Sequence, residues 1–159
     1  MGVELWGVRG SLPTAGAGTN RYGGNTSCAS VRTSDGNLVV LDAGTGIAAL
    51  GRSLGHEDRV DILLTHLHLD HIQGLGFVGP LFDPDTEVHV WGPASPTSSL
   101  RVRLTRYLSP PLFPVALRDL PCRLTLHDST LGFVTGAREG DVFELEGQES
   151  GAPRRNLSA

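Results

Sequence analysis

Val60-Asp61-Ile62-Leu63-Leu64-Thr65 runs directly into His66-Leu67-His68-Leu69-Asp70-His71. The first half is nearly continuous in apolar residues, the mark of a strand buried on both faces of a sheet. The second half gathers three of the chain's six histidines and a carboxylate into six positions. It begins where the buried strand ends, the edge at which α/β folds place their sites. On an extended segment, residues i and i+2 point the same way and lie about 6.5–7 Å apart. Two imidazoles so placed, His66 and His68, can converge on one ion at Zn–N distances of about 2.0–2.1 Å. Leu67 and Leu69 point the other way and are expected to anchor the segment in the core. Asp70 and His71 sit where the chain turns into a helix, free to address a second ion. A hard carboxylate beside imidazoles suits zinc, and also iron or manganese. Two such ions, about 3.5–4 Å apart, make hydroxide near neutral pH and clamp an in-line displacement.

Upstream of this stretch, residues 3–8 alternate as a first strand, and 9–27 form a long loop rich in Gly, Thr and Asn. Residues 28–33 and 38–42 read as a hairpin, because Asp35-Gly36 between apolar runs is a strong turn signal. Ala43-Gly44-Thr45-Gly46 turns the chain into a short apolar helix, 47–54, that stops at Gly55. Downstream, a glycine-punctuated helix is expected over 72–78 and a strand over 87–91. A helix capped by Ser95 or Thr97 would run to Leu108, with Leu100, Leu104, Tyr107 and Leu108 on one face. Prolines keep 109–115 extended. Late strands are expected at 123–127 and 142–145. Strands interleaved with helices make the fold α/β or α+β, with a mixed sheet.

A chain of 159 residues can bury one full core but hardly two. We place one domain over 1–147 and expect the polar stretch 148–159 to be a disordered tail. A net charge of −4 and a pI near 5.8 exclude a nucleic-acid binder that works by bulk electrostatics. No apolar run reaches 18 residues, so no membrane contact is expected. The N-terminus does not read as a secretory signal, which makes the expected location cytoplasmic. Cys28 and Cys122 read as buried free thiols in a reducing compartment. All 13 basic residues are arginine, which excludes a Schiff-base lysine.

Asp42-Ala43-Gly44-Thr45-Gly46 at a strand end, followed by His66-x-His68-x-Asp70-His71, resembles the metallo-β-lactamase superfamily. The opening, WGVRGSLPTAGAGTNRYGGNTSC, is similar to its phosphodiesterase-like branch, which includes ribonuclease Z and cyclic-nucleotide or cyclic-phosphate phosphodiesterases. The likeness covers residues 3 to about 127. It implies an αβ/βα sandwich with its metals at one edge of the sheets. It also implies a hydrolase that attacks a phosphodiester or related ester with a metal-bound water. The substrate would be a small-molecule or nucleotide-like phosphodiester. By the same resemblance a complete site holds two zinc ions, or manganese or iron. His66 and His68 would bind the first ion, and Asp70 and His71 the second. Asp70 is also the catalytic residue, orienting the water or handling the leaving group's proton. Asp42 would support the ligands from behind. Arg9, Arg21 and Asn25 are candidate substrate contacts, in the loop that lies near the metal edge.

The family's later ligands, a third histidine, a bridging aspartate and a last histidine, find no match, since 130–159 contains no histidine. His127, at the end of a late strand, is the best stand-in ligand, while His56 reads as a surface residue and His89 as a sheet-face residue. The simplest account is the N-terminal part of the fold, cut short. That leaves an uncovered apolar sheet face, which a second copy or a complementing chain would cover. The alternative function is a catalytically inactive remnant with weak metal binding.

Overall fold

The computed structural model describes residues 2–129 and the backbone of residues 147–149. Seven strands form one sheet in chain order. These are β1 (Gly2–Gly7), β2 (Cys28–Arg32), β3 (Leu38–Leu41), β4 (Arg59–Leu63), β5 (Glu87–Pro93), β6 (Arg123–Ser129) and β7 (Gly147–Glu149). β2 runs antiparallel to both β1 and β3, β3 to β6 are mutually parallel, and β7 returns antiparallel to β6. The expected α/β class with a mixed sheet is what forms. Gly36, at φ 92°, makes the β2–β3 turn, a left-handed conformation that glycine adopts without steric cost.

β4 lies mid-sheet, paired with β3 and β5, but only its Val60 and Ile62 are buried. Arg59 is exposed, and Asp61 and Leu63 are half-buried on the opposite face, so the burial on both faces expected from the apolar run is not what forms. The cross-strand row Val40, Ile62, Val90 and Leu126 is fully buried. It packs with Ile47 and Leu50 of α1 (Ile47–Ser53), and with Leu100 and Leu104 of α3 (Leu100–Tyr107). Leu75, Val78, Leu81 and Leu108 complete this core. The alternate row, Leu41, Leu63, Trp91 and His127, lies on the other face. Among the described residues that face stays open, with Val3 60 %, Leu5 71 % and Leu41 39 % exposed.

Several boundaries differ from the sequence reading. The helix expected over 72–78 is instead α2 (Leu69–Ile72), followed by a separate 3-10 turn at Leu75–Phe77. His68 stays extended, at φ −66° and ψ 151°, so the helix starts immediately after it. The cap of α3 is Ser99, whose Oγ accepts the Val102 N–H at 3.4 Å. Ser95 and Thr97 bond each other instead. The strand expected at 142–145 lies outside the described residues, as does 150–159 of the expected tail. Within that tail, Gln148 and Glu149 pair through β7 with Asp128 and His127. A backbone ladder needs no apolar side chains, so the tail's composition did not reveal it. Cys28 and Cys122 are buried free thiols, and burial pushes them up to about 12 and about 11. Among the described residues no helix is long and apolar enough to cross a membrane.

Candidate metal centre

β3 and β4 are parallel neighbours in register, Leu41 opposite Leu63, so both deliver their next residues to the same sheet edge. At the end of β3, Asp42 adopts φ 59°, a left-handed conformation that Asp tolerates better than most side chains. Its backbone N–H donates to Leu63 O at 2.9 Å, and the turn sends its carboxylate beneath the end of β4. There Oδ1 accepts the N–H and the hydroxyl of Thr65, each at 2.9 Å. Oδ2 accepts Ser27 Oγ at 3.1 Å and faces His71 Nδ1 at 2.7 Å. Asp42 is 4 % exposed, yet its carboxylate is surrounded by donors, as a buried charge requires.

The segment after Asp42 approaches α2 backbone to backbone. Ala43 donates to His71 O at 2.7 Å, and Gly74 donates back to Ala43 O at 2.8 Å. A Cβ on Gly44 would sit 2.3 Å from Asp70 O, and one on Gly74 would sit 2.2 Å from Gly44 O. Glycine is required at both places because only a bare backbone fits.

One ligand atom each of His66, Asp70 and His71 lie within 4.8 Å of one another. The His66 and His71 rings have centroids 4.0 Å apart, and His71 Nε2 lies 3.5 Å from Asp70 Oδ2. Hydrogens are assigned here from the network. Asp42 can only accept, so His71 Nδ1 carries a proton and its Nε2 presents a lone pair. Thr65 donates its hydroxyl proton to Asp42, so His66 Nδ1, 3.1 Å from Thr65 Oγ1, is likewise the donor and His66 Nε2 is free. The Ser11 backbone N–H donates to Asp70 Oδ2 at 2.7 Å. That bond holds the Asp70 carboxyl below the usual carboxylate range, against a small opposing effect of burial. Two imidazole nitrogens and a carboxylate converge, which is the donor set a divalent cation takes.

His68 is outside that three-donor cluster. It is exposed, with its ring edge-on to His66 at a centroid distance of 4.5 Å. Leu67 packs against the core, but Leu69 is 54 % exposed and anchors nothing. The helix begins at Leu69, so the strand alternation that would have turned it inward has already ended. Arg9 and Asn25 lie together at the start and end of the first long loop, with Arg9 N–H donating to Asn25 O at 3.0 Å. Asn25 Oδ1 accepts Thr45 Oγ1 at 3.2 Å, tying the loop to the turn after Asp42. Arg21 is placed over the Tyr22 ring, 5.0 Å from its centroid. His127 is not brought to the cluster: its Nε2 lies 2.9 Å from His89 Nδ1 and its ring stacks on Trp91 at 3.8 Å. His56 is on the surface, between Asp58 and Asp83.

Sequence reasoning missed Ser11, Ser27 and Thr65. Thr65 and Ser27 flank segments already singled out, and their hydroxyls are the only local signal. Ser11 acts through a backbone N–H, which leaves no trace in the residue type.

A search of curated proteins finds no match to the chain. A family model described as the metallo-beta-lactamase superfamily matches residues 21–151.

Proposed function

The chain belongs to the metallo-beta-lactamase superfamily, and on that premise we propose that His66, His68, Asp70 and His71 form the metal centre of a hydrolase acting on a phosphodiester or related ester. Superfamily membership supports a metal-dependent hydrolase in general. The observation that carries the finer reading is the convergence of His66, Asp70 and His71 at one sheet edge. Zinc is the first choice of ion, with manganese and iron next. A bound divalent ion supplies a nucleophile from water at neutral pH and offsets the charge that develops on the substrate.

The protein's own groups have separate tasks. His66 and His68 would hold one ion and Asp70 and His71 the other, the His66, Asp70 and His71 donors lying close enough for the two ions to be neighbours. Asp42 fixes the His71 ring with Nε2 outward, and Thr65 does the same for His66. Asp70, held ionised, accepts a proton from water or passes one to the leaving group. Arg9 and Asn25 flank the centre on the opening loop, where the guanidinium and the amide would meet phosphate oxygens. Arg21 joins them only by leaving its place over Tyr22. His127 has no task here, because His89 and Trp91 occupy it. A nucleotide-like phosphodiester fits these donors, and the opening loop's likeness to the phosphodiesterase and ribonuclease Z branch supports it.

The test is hydrolysis of an aryl phosphodiester with added zinc or manganese, with and without chelator. Metal-dependent turnover that disappears in His66→Ala and Asp70→Ala variants of unchanged fold supports the reading. Undiminished turnover in both variants refutes it. A second reading, a chain that holds one ion loosely and turns nothing over, is favoured by the position of His68 outside the cluster. Metal content after dialysis against metal-free buffer separates the two. Close to two ions per chain favours the hydrolase, and close to none the second reading.

A further inference from the structure

The segment Arg9-Gly10-Ser11-Leu12 reaches the metal centre through one contact, the Ser11 N–H to Asp70 Oδ2 bond, between residues 59 positions apart. Ser11 has φ 66°, one of two non-glycine residues in the left-handed region among the described residues, and the other is Asp42. Each sends a polar group into the same centre. The turn is held on both sides. Val8 and Arg9 donate to Asn25 O, Leu12 donates to Gly10 O at 2.9 Å, and Thr14 donates to Gly24 O at 2.9 Å. Arg9 Nε reaches Leu12 O at 3.4 Å, clamping the turn across its own ends. A left-handed backbone is unfavourable for a serine. Such conformations persist where the surroundings over-determine them.

We propose that Ser11 is a positioning residue: its backbone N–H fixes the Asp70 carboxylate in the orientation that meets His66 and His71 before any cation arrives. This rests on the metal-centre reading above. The Asp70 atom that receives the Ser11 N–H is also the one 3.5 Å from His71 Nε2. A carboxylate oxygen has two lone pairs, so with one taken by Ser11 the other is aimed across the cluster. Without Ser11, the half-buried Asp70 carboxylate would lose the hydrogen bond that orients it at the start of α2, and binding a cation would have to order it.

The backbone origin of the contact makes a sharp test, because φ is what must be kept and the hydroxyl is dispensable. Glycine and asparagine accept a left-handed φ, whereas valine does not. Zinc affinity, measured by competition with a chromogenic chelator, is expected to stay within about threefold of wild type in Ser11→Gly and Ser11→Asn. In Ser11→Val it is expected to fall about tenfold or more, the usual cost of losing a group that orients a ligand. The melting temperature of metal-free Ser11→Val should stay near that of wild type. Hydrogen exchange supplies a metal-free readout that needs no change at Ser11: its amide should exchange at least tenfold more slowly in wild type than in Asp70→Ala. Equal exchange in those two proteins overturns the proposal. So does Ser11→Val binding zinc as tightly as wild type, or Ser11→Gly binding as weakly as Ser11→Val. A wild-type chain that binds no zinc at all refutes the underlying metal-centre reading and this inference with it.

Discussion

His71 Nδ1 lies 2.7 Å from Asp42 Oδ2, and this bond locks the helix start after β4 to the turn after β3. Neither residue can move alone. Asp42 also carries both donors of Thr65 and the hydroxyl of Ser27, so one buried carboxylate organises three chain segments. Asp42→Ala strands those donors, which costs about 1–3 kcal/mol for each one left without a partner. With several donors stranded, the expected loss is about 3 kcal/mol or more of stability in denaturant unfolding. In the folded fraction, zinc affinity should fall about 10- to 100-fold.

Removing a donor that makes no bond to the buried Asp42 carboxylate should act on metal and leave stability alone. His66→Ala and Asp70→Ala are expected to lose bound zinc, measured by elemental analysis after dialysis, with melting temperatures near that of wild type. His71→Ala should lose zinc and also lower the melting temperature, because it takes a partner from the buried Asp42 carboxylate. His127→Ala should keep its metal content but lower stability, because it uncovers Trp91 and unpairs His89. Metal loss in His127→Ala would place that residue back among the ligands.

Gly44 is a separate point of failure. An added Cβ would stand 2.3 Å from Asp70 O and 2.5 Å from Thr26 Oγ1. Gly44→Ala is therefore expected to cost about 3 kcal/mol or more by overpacking. It should also weaken zinc binding, since relief comes only by displacing the backbone that carries Asp70. Gly18→Ala, in open space on the opening loop, is the control and should do neither.

A pH dependence remote from the centre follows from His56. Its hydrogen bond to Asp83 raises its pKa, against a smaller effect of burial, and the charges of Asp83 and Asp58 add to the rise. Asp83 is lowered, first by the Asp85 N–H and then by His56. A raised histidine stabilises the fold below its unfolded pKa, and that contribution is lost as pH rises through the folded value. A lowered aspartate loses its contribution as pH falls through its own folded value. The melting-temperature gap between wild type and His56→Ala should be largest at about pH 5–6 and vanish by about pH 9. The pair is exposed, so molar salt should shrink the gap.

The sheet's centre and the donor segment were legible for one reason. The apolar residues of 60–64 mark a central strand, although only Val60, Ile62 and Leu64 are buried and the alternate residues lie on the half-covered face. Asp42 was legible from its place at a strand end ahead of Ala-Gly-Thr-Gly. The start of α2 was not, because the extended backbone of His68 is set by docking rather than by any cap residue. That shift also decided Leu69, which strand alternation turns inward and a helix start turns outward. The neighbours of His127 were not legible because they depend on register: Trp91 is opposite it across β5, and His89 is two residues along that strand. Ser11 was invisible, since a main-chain donor can belong to any residue.

All three converging donors come from six consecutive residues, but the groups that aim them come from Ser11, Ser27, Asp42 and Thr65. Two of those lie in loops before β2, and Asp42 reaches the segment only once β3 has paired in parallel with β4. Parallel pairing across a helical connection is among the slower events of folding. The segment alone is thus a set of unaimed side chains, and the centre acquires its affinity when the strand edge closes over it. A chromogenic zinc indicator present during refolding would act as a clock for that closure, returning the ion to the protein only after most of the helical signal has recovered. On unfolding the order reverses, and zinc release would precede the loss of the sheet.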